Sequence, residues 1–152
     1  MLQTAFIKIT YKCMLRCKYC FYIYDRFHNI ELNNINIAGN NQLIHFLGVT
    51  GINNVIITGG DPLSPVVFDK TIRLINLLKN NNINVSVNTS LAINGNSVLK
   101  LIHAAPNRIS VSYDSYLPEI HNSQRGSWKL TNNTLLRVIE AKLPVSINWT
   151  LT

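Results

Sequence analysis

The sequence predicts an α/β fold in which parallel strands alternate with helices, and two observations lead to this class. Short runs rich in β-branched residues alternate along the chain with segments whose apolar residues recur at helical spacing. Polar motifs follow directly after four of the predicted strands, where parallel α/β sheets carry their functional residues. A chain of 152 residues, 47% hydrophobic and 14% charged, is expected to form one folded domain over residues 1–152.

Five segments are predicted to be strands because they are short, rich in Val, Ile and Thr, and bounded by turn residues. They are residues 4–10, 54–58, 84–89, 108–112 and 144–151. The second is expected to be a buried strand that Gly59 and Gly60 bring to an end, and the last alternates apolar and polar side chains.

Four segments are predicted to be helices from their apolar spacing, namely residues 31–47, 66–78, 96–104 and 131–141. In the first of these, Ile35, Leu43, Ile44 and Leu47 offer an apolar face, although Gly39 weakens its middle. The order β-α-β-α-β-α-β-α-β predicts right-handed crossovers and one parallel sheet with its helices outside.

The charge and the cysteine content limit the partners and the compartment. The net charge is +7, from 14 basic and 7 acidic residues, without a block of consecutive lysines or arginines. This excess of positive charge could favour an anionic substrate or nucleic acid. It could equally be a basic surface with no specific partner, and we do not expect nucleic acid to be the partner. No apolar run approaches the roughly 20 residues of a membrane-spanning helix, and signal-peptide features are absent from the N-terminal sequence. We therefore expect a cytoplasmic protein that is not bound to a membrane.

The three cysteines of the chain, Cys13, Cys17 and Cys20, lie within eight residues. An odd number of thiols in one loop does not form a disulfide framework, whereas thiolates are suited to zinc or to iron–sulfur centres. A structural zinc site needs a fourth ligand, for which His28 is the nearest candidate. The other possibility is a 4Fe-4S cluster with three irons bound by the protein and a fourth left for an exogenous ligand.

Two motifs resemble those of one enzyme family. Residues 13–20, C-M-L-R-C-K-Y-C, resemble the CxxxCxΦC signature of radical S-adenosylmethionine (SAM) enzymes, with Tyr19 as the aromatic residue. Residues 56–63, I-I-T-G-G-D-P-L, resemble the family's GGEP motif, with Asp61 where glutamate is commoner. The resemblance implies a partial TIM-like (βα) barrel, the radical SAM core, with about five of the usual six strands present.

The resemblance also implies the cofactors and the residues that bind them. Cys13, Cys17 and Cys20 would bind a 4Fe-4S cluster, and Tyr19 would lie against the cluster and the adenine of SAM. The segment of Gly59, Gly60, Asp61 and Pro62 would present backbone groups to the SAM ammonium. Backbone carbonyls and a nearby carboxylate can both accept hydrogen bonds from this cation. In this family, an external one-electron reductant of the flavodoxin or ferredoxin type drives cleavage of SAM to a 5′-deoxyadenosyl radical, which abstracts hydrogen from a substrate.

A third sequence segment resembles one group of enzymes within this family. Residues 111–128, V-S-Y-D-S-Y-L-P-E-I-H-N-S-Q-R-G-S-W, resemble a segment of peptide maturases of the SPASM or twitch type and of anaerobic sulfatase-maturating enzymes. The resemblance implies that Ser112 hydrogen-bonds SAM, that Arg125 pairs with its carboxylate, and that the substrate is a peptide or protein. Asn88 and Asp114 are possible substrate-facing residues. Arg125 could instead be a solvated surface charge, and His121 is expected to brace the local turn.

The chain also departs from the family pattern. It ends at the fifth predicted strand, and cysteines for auxiliary clusters are lacking, so we expect a core that is incomplete at its C-terminus. The alternatives are a glycyl-radical activating enzyme, a zinc-binding or nucleic-acid-binding module, and a truncated remnant without catalytic activity.

Overall fold

The computed structural model describes residues 3–20 and 41–150, and within these ranges it contains one sheet of five strands in the order β1-β2-β3-β4-β5. The strands are β1 Thr4–Thr10, β2 Asn54–Gly59, β3 Asn84–Thr89, β4 Arg108–Ser112 and β5 Val145–Asn148. Each strand pairs in parallel with the next. The α/β fold with a parallel sheet is therefore confirmed, although β5 is shorter than the predicted 144–151.

The helices in the described part of the chain are α1 Asn41–Thr50, α2 Phe68–Asn80, α3 Gly95–Ala104, α4 Pro118–Gln124 and α5 Trp128–Glu140. The second part of the predicted helix 31–47 overlaps α1, whereas its first part and His28 lie outside the described residues. Helix α4 was not predicted, because seven residues are too few to show a helical period. Its one local signal is Pro118 in the first turn, where the missing N–H costs nothing.

The two faces of the sheet differ in chemistry. On one face, side chains from the central strands are 0–1% exposed and pack against the helices; they are Val55, Ile57, Val85, Val87, Ile109 and Val111. On the other face, Thr58, Asn88 and Ser112 are half-buried. A parallel sheet enclosed on both faces by apolar layers is apolar throughout. The polar second face therefore indicates that this side of the sheet borders a cavity.

The helices cover the apolar face through regularly spaced side chains. Leu74, Ile75 and Leu78 of α2 are completely buried, as is Leu101 of α3. Leu135 of α5 is also buried. No helix in the described ranges has the length and apolar character needed to cross a membrane.

Candidate functional site

A cavity of about 310 Å³ lies at the carboxyl ends of the strands, within the usual size range of small-molecule sites. The predicted site residues that line it come from the cysteine loop, from the ends of three strands and from the segment after α4. They are Cys13, Cys17, Tyr19, Cys20, Gly59, Gly60, Asp61, Asn88, Ser112 and Arg125. The structure thus brings together ten of the twelve residues that sequence reasoning selected.

The other two residues, Pro62 and Asp114, do not belong to the lining of this cavity. Pro62 is buried, and its carbonyl oxygen accepts a hydrogen bond of 2.5 Å from Thr71 Oγ1 at the start of α2. The side chain of Asp114 is 3% exposed and pairs with Arg125, so it faces a protein partner and not the open cavity. That Asp114 faces a substrate stays a prediction.

Sequence reasoning missed six residues that line the cavity. They are Leu15, Thr58, Thr89, Ser90, Asn148 and Thr150. Except for Leu15, each lies at or within two residues of the carboxyl end of β2, β3 or β5. Position at a strand end was therefore the signal that could have found them, since these ends meet at one edge of a parallel sheet.

The cysteine loop leaves β1 directly and is held by backbone contacts. Lys12 N donates to Thr10 Oγ1 over 3.0 Å, and Cys20 N donates to Cys17 O over 3.1 Å. Lys18 N donates to Gln124 O at the end of α4 over 2.9 Å. Strand β1 therefore fixes one end of the loop, and α4 fixes the other.

Gly59, the last residue of β2, and Gly60 after it allow this backbone segment to approach the end of β1 and the start of the cysteine loop. Gly60 N donates to Thr10 O over 2.7 Å, and Asp61 N donates to Lys12 O over 3.1 Å. A Cβ on Gly59 would lie 2.2 Å from Thr10 O, and one on Gly60 would lie 2.4 Å from Lys12 O. No other residue type fits such an approach of backbone to backbone, so the glycine pair places the end of β2 beside Cys13.

The carboxylate of Asp61 organises the neighbouring strand end. It accepts hydrogen bonds from Leu63 N over 2.9 Å, from Thr89 Oγ1 over 2.8 Å and from Ser90 N over 3.1 Å. The hydroxyl of Ser90 donates to it as well. Both carboxylate oxygens thus accept hydrogen bonds from protein donors. The groups of this segment that can still bind a ligand are therefore those of its backbone.

Arg125 joins the cysteine loop to the end of β4. Its Nε and Nη2 atoms each donate to one oxygen of Asp114 over 3.1 Å, and Nη2 also donates to the Tyr19 hydroxyl. Its Nη1 atom lies 3.7 Å from Cys17 Sγ. The side chain is 9% exposed, which excludes a solvated surface charge. The two-pronged side of the guanidinium faces Asp114, so Nη1 is the atom left for the cavity.

Protonation in this group follows from burial and pairing. Burial opposes ionisation of Asp114, but hydrogen bonds from Arg125 and Tyr19 outweigh it and keep the pKa of this carboxyl below its ordinary value. Desolvation and the hydrogen bond to Asp114 raise the pKa of Tyr19 to about 12. Tyr19 therefore donates its proton to a carboxylate, and the pair with Arg125 is ionic.

His121 braces the turn after β4, as the sequence predicted. The residue is completely buried, and its Nδ1 atom accepts the backbone N–H of Asp114 over 3.3 Å. Its ring centroid lies 5.2 Å from that of Tyr113. Desolvation lowers the pKa of His121, which favours the neutral ring that this acceptor role requires.

The three thiols of the cysteine loop line the cavity together. In residues 3–20 and 41–150, no three His, Cys, Asp or Glu side chains are grouped to hold one metal ion. In a 4Fe-4S cluster each thiolate binds its own iron, so three cysteines would hold three of the four irons. Desolvation raises the pKa of Cys13 to about 11 and also raises that of Cys17, and a metal that binds a thiol keeps it deprotonated.

The sequence has recognisable relatives. The profile of the Radical SAM superfamily matches residues 7–152. A Probable GTP 3′,8-cyclase of Methanococcus aeolicus is 32% identical over 147 residues, which cover 94% of this chain and 48% of that protein. A GTP 3′,8-cyclase of a Sulfurovum species is 27% identical over 147 residues, covering 93% of this chain and 44% of that protein. The chain thus spans about half the length of these curated relatives.

Solved structures share the fold at low sequence identity. Streptococcus suis SuiB bound to its precursor peptide SuiA superposes with a TM-score of 0.78 at 18% identity, over 98% of this chain and 33% of that one. The enzyme anSMEcpe with bound AdoMet superposes with a TM-score of 0.70 at 20% identity, over 96% of this chain and 44% of that one. These similarities confirm the partial barrel.

Replacement of Gly60 by alanine is predicted to destabilise the protein. The new Cβ would meet Lys12 O at 2.4 Å, and neither backbone can yield without moving the cysteine loop. We expect the free energy of unfolding, measured by urea denaturation, to fall by about 1–3 kcal/mol. The control is Gly48→Ala in α1, where no heavy atom lies within 4 Å and alanine should stabilise the helix by about 0.5–1 kcal/mol. Equal effects of the two changes would contradict this account.

Replacement of Asp61 by asparagine is predicted to loosen the end of β3. The asparagine amide would place an NH₂ group where a carboxylate oxygen now accepts hydrogen bonds from the backbone N–H and the hydroxyl of Ser90. These buried donors would then lack an acceptor. We expect a loss of about 2–3 kcal/mol in the free energy of unfolding. The matched change Asp69→Asn removes a carboxylate whose side chain is 66% exposed and 3.0 Å from Lys100 Nζ, and should cost less than about 1 kcal/mol. A cost for Asp61→Asn no larger than that of the control would refute the bracing role.

Proposed function

Because the chain belongs to the radical SAM superfamily, we propose that it is the core of a radical SAM enzyme that binds a 4Fe-4S cluster and SAM in the cavity at the strand ends. The observation that carries this proposal is the convergence of three cysteines, a glycine pair, Ser112 and Arg125 on one cavity of about 310 Å³. A site of free thiols is also suited to a reducing compartment, so we propose a cytoplasmic location.

Each part of the cavity wall has a distinct task in this proposal. Cys13, Cys17 and Cys20 would each bind one iron and leave the fourth iron for the amino and carboxylate groups of SAM. When bound together, the cluster and SAM supply one-electron chemistry that ends in hydrogen abstraction from a substrate. The backbone carbonyls after β2 accept hydrogen bonds from the SAM ammonium, because the carboxylate of Asp61 already accepts hydrogen bonds from Thr89 and Ser90.

Further polar side chains in the cavity lining complete the binding of SAM. The hydroxyl of Ser112 and the amide of Asn88 both line the cavity and offer hydrogen bonds to the ribose or to the methionine part. Arg125 has five N–H groups, of which three are used by Asp114 and Tyr19. Contact with the SAM carboxylate would therefore come from Nη1 and not from a two-pronged fork.

Two substrate classes are supported by different observations. The run of residues 111–128 resembles peptide-modifying enzymes, and we therefore propose a peptide or protein as one candidate substrate. The second candidate is GTP, because the 32% identical relative is named a Probable GTP 3′,8-cyclase. This identity is higher than the 17–20% to SuiB and anSMEcpe, and the net charge of +7 suits a triphosphate. In either case, we propose a flavodoxin or ferredoxin as the electron donor.

The cofactor proposal is tested by anaerobic reconstitution with iron and sulfide. We expect four irons and four sulfides per chain, charge-transfer absorption, and 5′-deoxyadenosine once dithionite and SAM are added. Cys17→Ala should abolish both cluster and product. Met14→Ala is the control, since this side chain lies in the same loop and is 56% exposed. Zinc in place of iron would reject the proposal, and a full cluster without 5′-deoxyadenosine would indicate a remnant without catalytic activity.

The substrate is tested with GTP deuterated at C3′, the carbon that a 3′,8-cyclase must join to C8. If GTP is the substrate, mass spectrometry should show deuterium in the 5′-deoxyadenosine, whereas unlabelled GTP should give the unlabelled product. Absence of deuterium, with unchanged 5′-deoxyadenosine formation, would leave the peptide proposal as the better one.

A further inference from the structure

We propose that Arg125, held by Asp114 and Tyr19, donates a hydrogen bond to the cluster ligand Cys17 and thereby raises the reduction potential of the cluster. This inference rests on the proposed function and adds to it. Asp114 and Tyr19 act as positioning residues, whereas Arg125 touches the ligand itself. In the step concerned, the oxidised cluster takes up one electron from the external reductant, and no covalent bond is made or broken.

The first argument is the geometry of the guanidinium. Asp114 receives two parallel hydrogen bonds of 3.1 Å from Nε and Nη2, which fix the plane and the rotation of the Arg125 head group. With this plane fixed, Nη1 lies 3.7 Å from Cys17 Sγ, within hydrogen-bonding range for sulfur. A guanidinium bound only to solvent would have no reason to hold this position.

The second argument is burial. The side chains of Arg125 and Asp114 are only 9% and 3% exposed, and a buried ion pair carries a desolvation penalty that is offset only by good geometry and further hydrogen bonds. The additional partner here is Tyr19, whose hydroxyl contacts both charged groups. The Arg125 Cζ atom also lies 5.3 Å from the centroid of the Tyr19 ring, a favourable place for a cation.

The third argument is that the group links the cysteine loop to a separate strand end. Tyr19 lies between Cys17 and Cys20 in the loop, 95 residues from Asp114 along the chain. Arg125 follows α4, the helix whose last residue accepts the N–H of Lys18. The loop is therefore joined to the α4 end twice, once through backbone and once through Arg125.

The direction of the effect follows from charge. Reduction adds one negative charge to the cluster, and an N–H donor of a cation stabilises that charge at the ligand sulfur. Loss of the guanidinium should consequently make the cluster harder to reduce.

The test is a redox titration of the reconstituted full chain without SAM, followed by electron paramagnetic resonance. For Arg125→Gln we expect the ratio of reduced to oxidised cluster at a fixed potential to fall by about tenfold, which is about 59 mV for a one-electron couple. Tyr19→Phe removes only the hydroxyl and should shift the potential in the same direction by less. Arg73→Gln removes the same charge from an exposed position on α2 and should leave the potential unchanged.

The outcomes separate this inference from the proposed function. If the wild-type chain assembles no cluster, both are overturned. If the cluster forms and Arg125→Gln keeps the wild-type potential, this inference alone is overturned, and weaker SAM binding by that variant would then assign Arg125 to the SAM carboxylate. Should Arg125→Gln lose its iron, Tyr19→Phe decides the question, since a wild-type potential in that variant would refute the proposal.

Discussion

The close approach of the β2 end to the cysteine loop is the constraint on which the site depends. Two hydrogen bonds, from Gly60 N to Thr10 O and from Asp61 N to Lys12 O, extend the contact between β1 and β2 beyond the sheet. A Cβ on either glycine would overlap backbone atoms of the loop. Because of this contact, the cysteine loop that follows β1 lines the same cavity as Gly59, Gly60 and Asp61.

Two buried carboxylates extend this order to the remaining strands. Asp61 binds the donors of Thr89 and Ser90 at the end of β3, and Asp114 binds Arg125 and Tyr19 beside the end of β4. Each carboxylate is satisfied by protein groups, so its task is to hold other residues in place. A cofactor site whose supporting residues are fixed in this way needs little rearrangement on binding.

The chain belongs to the radical SAM superfamily, while its activity and its substrate are proposals that rest on the residues lining the cavity. The residues that would hold a cluster and SAM lie on the cysteine loop and on strands β2, β3 and β4. Asn148, at the end of β5, and Thr150, two residues later, line the same cavity. A peptide and GTP differ in size and charge, so we expect residues on this side of the cavity to determine which of the two substrates binds.

The sequence alone determined the parallel α/β fold, the three cysteines and the glycine pair, because each follows from a local pattern: strand and helix periods, the spacing of residues 13–20, and two adjacent glycines after a strand. Only the tertiary structure decided what Asp61, Asp114 and Arg125 do. Apart from Leu63, which lies beside Asp61, the partners named for these residues lie 11 to 108 residues away along the chain. A carboxylate at a strand end looks the same in sequence whether it faces a ligand or a buried arginine. Long-range packing makes that choice, and it also formed α4, which is too short to show a period.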